Sequence, residues 1–484
     1  MKRPDLLLVN PANRISQFGG ISEYATVAPP LGIAMVAAFA RREGYSVDIL
    51  DAEAEEWSVE KTVEEICRRG PMLVGLTAFT TKMTAAGDIL KALKREAPYM
   101  KTMIGGHHPS ALPERTLREE GADFVIEGEG YRPVTGLLRA MKDGKRAFPI
   151  NGVWTRDGGR IVSRPAAPLA DIDELPLPAW DLLPMGKYRA HHWQCWGMGR
   201  QSSFALVFTS LGCPFQCSFC SVNVVYGRRR VRYKTVSRVM EDFEVLADKF
   251  RIKHIEIIDD TFTLDRDRVI AICDSLIERR YDLNMWCFAR TDTVDPGMLE
   301  RMKRAGINWV FLGIEAGNEK ILNGVFKKQN LAQIKDAVDA IHGAGISIGG
   351  NYVFGLPDDD HDTMKETLDL AQELNLEWAN FFISMAYPGT AIYEDAVRNS
   401  CVPERWEQYG FFAPNARPTP TKHLSGEEIL RFRDEAFEKY FSNARYLDMI
   451  RGKFGPETAD YVTDMLKRKI KRDYKKSDLP VCRR

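Results

Sequence analysis

Short apolar segments alternate with amphipathic helical stretches twice along this chain, and that alternation limits the folds open to it. In the first run the apolar segments are "DLLLVN" (5–10), "SVDILD" (46–51), "MLVGLTAF" (72–79), "KTMIGG" (101–106) and "ADFVIEG" (122–128). Helical patterns lie between them, for example "LGIAMVAAFARREG" (31–44). Strands joined through helices pair in parallel, because a helical crossover returns the chain to the same end of the sheet. Residues 1–145 are therefore expected to form an α/β doubly wound domain. Ligands of such sheets bind at the carboxyl ends of the strands.

The second run spans 201–400 and has six strand–helix units, which begin at "FALVFTSLG" (204–212), "HIEIIDD" (254–260), "LNMWCFAR" (283–290), "WVFLGIE" (309–315), "ISIGGNYVFGLP" (346–357) and "WANFFISMAYPG" (378–389). Six parallel units make three-quarters of a (β/α)8 barrel, whose chemistry also lies at the carboxyl ends of its strands. Residues 146–200 read as a joint. A hairpin, "VWTRDGGRIVSR" (153–164), turns on DGG, and the proline-rich "PLADIDELPLPAWDLLP" (168–184) favours extended chain. Residues 401–484 read as a helical extension. Ser425 and Glu428 form a capping box at its start, and the basic run "LKRKIKRDYKK" (466–476) lies near its end.

Lys+Arg and Asp+Glu are equal at 67 each, which argues against a general nucleic-acid-binding surface. No apolar run approaches the roughly 18 residues of a spanning helix, and the start reads as a strand rather than a signal peptide. Of nine cysteines, most are scattered in a way that does not resemble a disulfide framework, so a reducing cytoplasm is expected.

Three cysteines are not scattered. In "SLGCPFQCSFCSVN" (210–223), Cys213, Cys217 and Cys220 follow the first strand of the second run. Thiolates at such spacing hold soft metals. Structural zinc needs four closed ligands, and the nearest candidates for a fourth are His191, His192 and Cys195. An iron–sulfur cluster also normally takes four cysteines, so three leave one iron open to a substrate or cofactor.

This C-x3-C-x2-C pattern after the first strand of a partial barrel resembles the radical S-adenosylmethionine (SAM) superfamily. Further stretches resemble its cobalamin-binding branch: "HIEIIDDTFTLDRDRV" (254–269), "WCFARTDTVDPGMLERMKRAG" (286–306), "FLGIEAGNEKIL" (311–322), "GGNYVFGLPDDD" (349–360) and "AYPGTAIYE" (386–394). In the first domain the matching points are "NPANR" (10–14), "GLTAFTTKM" (75–83), "IGGHHPSALPE" (104–114) and "IEGEGY" (126–131). The loop "PDDDHD" (357–362) departs from the family's glycine-rich pattern.

The resemblance implies that Cys213, Cys217 and Cys220 hold a 4Fe–4S cluster whose open iron chelates SAM. One electron, from a donor such as flavodoxin or ferredoxin, then cleaves SAM to methionine and a 5′-deoxyadenosyl radical. It also places the backbone of Phe219 near the adenine. Asp260 is suited to the SAM ammonium or ribose, and Asp259 points to the other face of the strand. Arg290 is suited to the SAM carboxylate as a fork, and Glu315 to Arg290 or the ribose. Each charged residue also reads as part of a structural ion pair between strands. Gly349, Gly350 and Gly355 would let a backbone approach the adenine. For cobalamin, Thr77, Gly105 and Gly106 admit a flat corrin at the strand ends, and His107 is suited to its nucleotide tail.

The implied reaction is methylation of an unactivated carbon. Ring closure or rearrangement in the manner of the anaerobic magnesium-protoporphyrin cyclase is the second reading, and a regulator holding structural zinc the third. A lipid, a tetrapyrrole or a natural-product scaffold each remains open as the small-molecule substrate.

Methionine-synthase-type domains supply a lower cobalt ligand from a D-x-H-x-x-G loop, but residues 10–20 here, "NPANRISQFGG", hold no histidine. Cob(II)alamin bound to this protein is therefore expected to show no superhyperfine splitting from a lower nitrogen in electron paramagnetic resonance. A triplet would contradict this and point to His107, His108 or the cofactor's own base.

Overall fold

In the computed structural model, which describes residues 3–145, 148–197, 201, 203–227 and 229–473, both runs form parallel sheets. The first contains β1 (Leu6–Asn10), β2 (Val47–Asp51), β3 (Leu73–Thr77), β4 (Lys101–Gly105) and β5 (Phe124–Ile126), in the order β2-β1-β3-β4-β5. All five residues of β1 are buried, as expected of a central strand covered on both faces. Leu6 and Leu8 pack with the helix Leu31–Arg42, and Leu7 and Val9 with the helix Met83–Glu96. Strand order reverses between β1 and β3, which opens a crevice at their carboxyl ends.

This sheet continues past the expected boundary at 145. The hairpin β6 (Val153–Asp157) and β7 (Arg160–Ser163) adds antiparallel to β5 and makes the sheet seven-stranded. It pairs the backbone edge that β5 would otherwise leave open.

The second run gives β8 (Phe204–Val207), the short pair β9 (Ser210–Leu211) and β10 (Arg232–Tyr233), then β11 (His254–Ile257), β12 (Asn284–Arg290), β13 (Ile307–Glu315), β14 (Ser347–Phe354) and β15 (Trp378–Ile383). Six of these form a parallel sheet in the order β15-β14-β13-β12-β11-β8, the expected partial barrel. β9 and β10 pair antiparallel beside it.

The proline-rich joint is a packed strap. Ile172, Leu175, Trp180 and Leu183 are buried, and the Tyr188 hydroxyl donates to Asp51 Oδ2 at 2.7 Å. The residues that follow plug the amino end of the barrel. Trp193 stacks on Trp378 at 5.3 Å and lies against Trp309 and Phe311 at 5.5 and 4.9 Å. The Asn284 amide, at the start of β12, donates to the Gln194 carbonyl at 3.0 Å.

Beyond the barrel, 401–424 is largely irregular, and the helices Gly426–Phe441, Ala444–Phe454 and Pro456–Met465 follow. They anchor on the β15 side: Arg433 Nε donates to the Phe381 carbonyl at 2.8 Å and the Tyr440 hydroxyl to that of Leu376 at 2.6 Å. The last of these helices ends before the basic run, and residues 474–484 of the expected extension lie outside the described residues. Among the described residues seven cysteines are free thiols, and Cys401 is disulfide-bonded. Among the described residues no helix is long and apolar enough to cross a membrane.

Trp193→Ala removes a large buried side chain from the plug and should cost about 3–5 kcal/mol. A clearly lower thermal midpoint for the barrel is expected, and an unchanged midpoint would show that the plug is not part of the core.

Candidate functional site at the carboxyl ends of the two sheets

The cysteine loop is fixed by the residues on either side of it. Asp259, buried just after β11, accepts from the Thr209 amide at 2.6 Å, the Thr209 hydroxyl at 2.5 Å and the Ser210 hydroxyl at 2.6 Å. Arg268 donates to the Thr209 hydroxyl and carbonyl at 3.0 and 2.7 Å. Gly212 then turns the chain at φ 93°, where a Cβ would collide with the Arg230 carbonyl. The thiols of Cys213, Cys217 and Cys220 follow at the carboxyl end of the barrel.

Cys213 and Cys217 are half-buried, and Cys220 is exposed at its surface though its surroundings still desolvate the thiol. Burial raises all three thiols, Cys220 to about 12. Cys217 adds repulsion at Cys213 and Cys220, and Asp260 adds to it at both. Metal coordination removes such protons outright, so this donor set fits a bound metal group. A single tetrahedral ion needs ligands within about 2.3 Å of its centre. Among the described residues no three His, Cys, Asp or Glu side chains converge so closely. A cluster places its thiolates on separate irons and fits the triplet better.

The candidates for a fourth zinc ligand are at the opposite end of the barrel. Cys195 is buried with its sulfur 3.7 Å from His254 Nδ1, at the first residue of β11. His191 Nδ1 lies 3.1 Å from the Tyr24 carbonyl, and His192 stacks on Tyr461 at 3.8 Å. The closed-zinc reading therefore has no fourth ligand among these residues.

Asp259 and Asp260 divide as their strand positions imply. Asp259 faces inward to the network above, and Asp260 is exposed. Desolvation there and the neighbouring Asp259 push the Asp260 carboxyl up to about 6.

Arg290 and Glu315 are buried at the ends of β12 and β13, but their partners differ from expectation. Arg290 Nε and Nη2 form a fork with Asp292, at 2.9 and 3.0 Å, so the fork expected for the SAM carboxylate is already occupied. Its guanidinium carbon lies 3.7 Å from the Phe215 ring centre, and Nη1 lies 4.0 Å from Cys217 Sγ. Glu315 pairs with Lys327 rather than Arg290, at 2.6 Å. Glu315 also has φ 67°, a left-handed backbone that costs a non-glycine residue of order 1–3 kcal/mol and clusters at functional sites.

Gly350 does not open its strand to an adenine. It lies inside β14, where a Cβ would meet Tyr352 and Leu376, so it is a packing glycine. Gly349 is likewise covered by the Phe311 ring, and a Cβ on Gly355 would meet Ile429. Phe219 packs with the loop that follows β15, in a cluster that Leu112 of the first sheet's side also joins.

At the first sheet's edge, Thr77 ends β3, Gly105 ends β4, and Gly106 turns at φ 114°. A Cβ on Gly106 would lie 2.7 Å from the Ala78 carbonyl, so backbone packing alone requires this glycine. His107 stacks at 5.2 Å on Phe79, which is 58% exposed although apolar. An aromatic pair with one exposed face at the carboxyl ends of β3 and β4 suits a large flat ligand. Burial lowers the His107 ring from its ordinary value. His108 is buried instead, 3.2 Å from the Thr80 hydroxyl and 4.3 Å from the Trp406 ring.

Sequence reasoning missed Lys327 and Trp406. Trp406 also lies under the Arg115 guanidinium at 4.4 Å, and Glu407 accepts from the Thr84 hydroxyl at 2.8 Å. The segment after the barrel thus returns to the first sheet. No local pattern marks either contact, although two adjacent lysines after a strand-end glutamate are a weak signal for the first.

Residues 19–138 match the B12 binding domain family, and residues 207–371 match the Radical SAM superfamily. The chain is 32% identical over 425 residues to the uncharacterized methyltransferase PH0819 of Pyrococcus horikoshii, covering 87% of this chain and 90% of that relative. It belongs to the cobalamin-binding radical SAM enzymes. The anaerobic magnesium-protoporphyrin IX monomethyl ester cyclase of Rubrivivax gelatinosus is 26% identical, over 88% of this chain and 76% of its own length. The solved cobalamin-dependent SAM radical enzyme OxsB, with aqua-cobalamin and SAM bound, superposes with TM-score 0.72 at 16% identity, over 96% of this chain and 70% of that one. That likeness shows the shared fold. The cofactors of cobalamin-binding radical SAM enzymes are cobalamin, a 4Fe–4S cluster and SAM, and the donor set and sheet edge above fit them.

Anaerobic reconstitution should load about four irons per chain. Single Cys213→Ala, Cys217→Ala and Cys220→Ala variants should each lose them, and Cys195→Ala should keep them. Equal iron loss in Cys195→Ala would restore the closed four-ligand site.

Proposed function

We propose that this enzyme transfers the methyl group of SAM, by way of cobalamin, to an unactivated carbon of a small molecule. The observation that carries the proposal is the junction of the two strand-end edges. The carbonyl of Val225, five residues past Cys220, lies 3.3 Å from where a Cβ on Gly128 would stand, beyond β5 of the first sheet. The thiol loop and the cobalamin-type edge thus border the same region. When bound, the cluster, SAM and cobalamin supply electron transfer, hydrogen abstraction and the transferable methyl group.

In this reading Cys213, Cys217 and Cys220 hold the cluster. Asp260 and Glu315 orient the SAM ammonium and ribose, and the backbone of Phe219 lies on the adenine side. Arg290, already forked to Asp292, holds the thiol loop through Phe215 and Cys217. Thr77, Gly105 and Gly106 face the corrin, and His107 holds its nucleotide tail. The functional units we infer are a cobalamin unit in the first sheet, the strap, the barrel and the helical extension. A low-potential flavodoxin- or ferredoxin-type donor and a reducing cytoplasm suit such a cluster.

A cleft of about 980 Å3 opens beside Gly128, between the strap residues Pro168 and Leu169 and the residues Val224, Tyr226 and Val231. Its apolar walls favour a substrate with an extended apolar body. Methylation is the reaction shared by relatives with different substrates: a cytidylyl-2-hydroxyethylphosphonate methyltransferase, a hopanoid C-3 methylase and a bacteriochlorophyllide d C-12(1)-methyltransferase. The cyclase relative favours ring closure as the second reading.

The test is turnover with SAM carrying a deuterated methyl group, cobalamin and a low-potential reductant, on hopanoid, tetrapyrrole and phosphonate substrates. The expected product carries the labelled methyl. A product that loses two hydrogens and gains no label would replace methyl transfer with ring closure. Glu315→Gln is expected to weaken SAM binding with the cluster intact, and unchanged affinity would remove Glu315 from the SAM site.

A further inference from the structure

The roles above use the strand ends of the barrel, and its interior holds an acid that none of them employs. His254, at the foot of β11, has Nδ1 3.7 Å from Cys195 of the plug and so faces the bore. Side chains two apart in extended chain share a face, so Glu256 and Ile258 face the bore as well. Glu256 pairs in register with Leu206 of β8 and Trp286 of β12. Trp286 pairs in turn with Trp309 of β13, whose ring lies 5.5 Å from Trp193 of the plug. The row that contains Glu256 therefore points inward.

The bore is open beside this row. Ile255, Ile257 and Cys287, on the opposite face, are fully buried. Leu206, Glu256, Ile258 and Phe288 keep partial exposure although they lie inside the barrel. The helix side of these strands is packed and the bore side is not.

Two polar groups meet there without partners. Burial pushes the Glu256 carboxyl up to about 7, and no cation acts on it. The Trp286 indole lowers it in return, so the indole stands beside the carboxyl. Yet Trp286 Nε1, on a side chain with no exposed surface, makes no hydrogen bond. Another indole of the bore is satisfied: Trp378 Nε1 donates to Asn380 Oδ1 at 2.8 Å, and Asn380 Nδ2 to Asn351 Oδ1 at 2.9 Å. A buried N–H without an acceptor and a desolvated carboxyl without a cation both cost free energy that packing does not return. Each calls for an explanation, and a ligand supplies one for both.

An acceptor and a donor side by side select the group that fits between them. A hydroxyl donates and accepts through one atom. An ammonium would satisfy Glu256 and leave the indole unpaired, and an anion would satisfy the indole and be repelled by Glu256.

We propose that the barrel bore holds a subsite for a hydroxyl group, with Glu256 accepting from it and Trp286 Nε1 donating to it, and that the small-molecule substrate anchors a hydroxyl-bearing end there. The substrate part rests on the methyl-transfer reading given above. Four residues separate Glu256 from Asp260, about 13 Å of extended chain. A molecule anchored in the bore thus needs an extended body to bring a carbon to the level of Asp260.

The test uses the full-length chain labelled with 5-fluorotryptophan and reconstituted with cluster and hydroxocobalamin. Fluorine NMR reads the Trp286 resonance, identified by its loss in Trp286→Phe. The probes are benzyl alcohol and toluene, which share a ring and differ in the hydroxyl. Benzyl alcohol should shift the Trp286 resonance saturably, and toluene should bind about tenfold more weakly, as expected for one lost hydrogen-bonding group. Glu256→Leu should reduce benzyl alcohol affinity about tenfold, to that of toluene, and Glu256→Gln, which keeps an accepting oxygen, should retain most of it. Should the Leu variant fail to fold, the two probes on wild type and the Gln variant decide. Equal affinity for the two probes would overturn the proposal, because the bore would then be an apolar pocket only. A silent Trp286 resonance would overturn it too, as would wild-type affinity in Glu256→Leu. Selective binding of benzyl alcohol, with no labelled methyl transferred to any substrate, would keep the subsite and remove the methyl-transfer reading and the substrate role. Methyl transfer with a silent Trp286 would do the reverse.

Discussion

The Thr209 amide and the hydroxyls of Thr209 and Ser210 converge on the buried carboxylate of Asp259. These bonds tie the chain leaving β8 to the end of β11, and Arg268 adds a cation to the same residues. Charge-assisted bonds in a low-dielectric interior are among the stronger a protein can make. They determine where Gly212 turns and so where the three thiols stand. Asp260, the next residue, points away from this network and is exposed, because adjacent residues of extended chain point to opposite sides. One aspartate places the loop, and its neighbour is left exposed.

The rest of the architecture brings a second ligand-binding edge to this loop. The strap between the sheets carries a buried aromatic plug to the amino end of the barrel, away from the chemistry, and its Tyr188 reaches Asp51 at the end of β2. The segment after the barrel packs Trp406 on His108 at the first sheet's carboxyl side. Contacts from before and after the barrel therefore hold its active end toward the crevice between β1 and β3. Two cofactors that serve one reaction need such fixed proximity.

Much of the fold could be read from local pattern. Parallel pairing follows from strand–helix alternation, and the thiol spacing with its missing fourth ligand leads to the cluster. Asp259 and Asp260 also separated as strand periodicity requires. What the sequence hid were partnerships across space. Nothing in "RTD" shows that the Arg290 fork closes on Asp292, two residues along, and nothing in "FKKQN" shows that Lys327 takes Glu315. Gly350 looked like a ligand-approach glycine because the filling of its space by Tyr352 and Leu376 is a tertiary fact. The hairpin at 153–163 looked like part of a joint because an unpaired edge at β5 is visible only in the assembled sheet.

The central claim is that one cleft receives both metal cofactors, one from each sheet. Anomalous diffraction at the iron and cobalt edges, from anaerobic crystals of the reconstituted protein, tests it most directly. The account predicts iron density bounded by the sulfurs of Cys213, Cys217 and Cys220, with no fourth protein sulfur. It predicts cobalt density over the carboxyl ends of β1, β3 and β4, beside Phe79 and His107. Cobalt elsewhere on the molecule, or iron closed by a fourth cysteine, would contradict it.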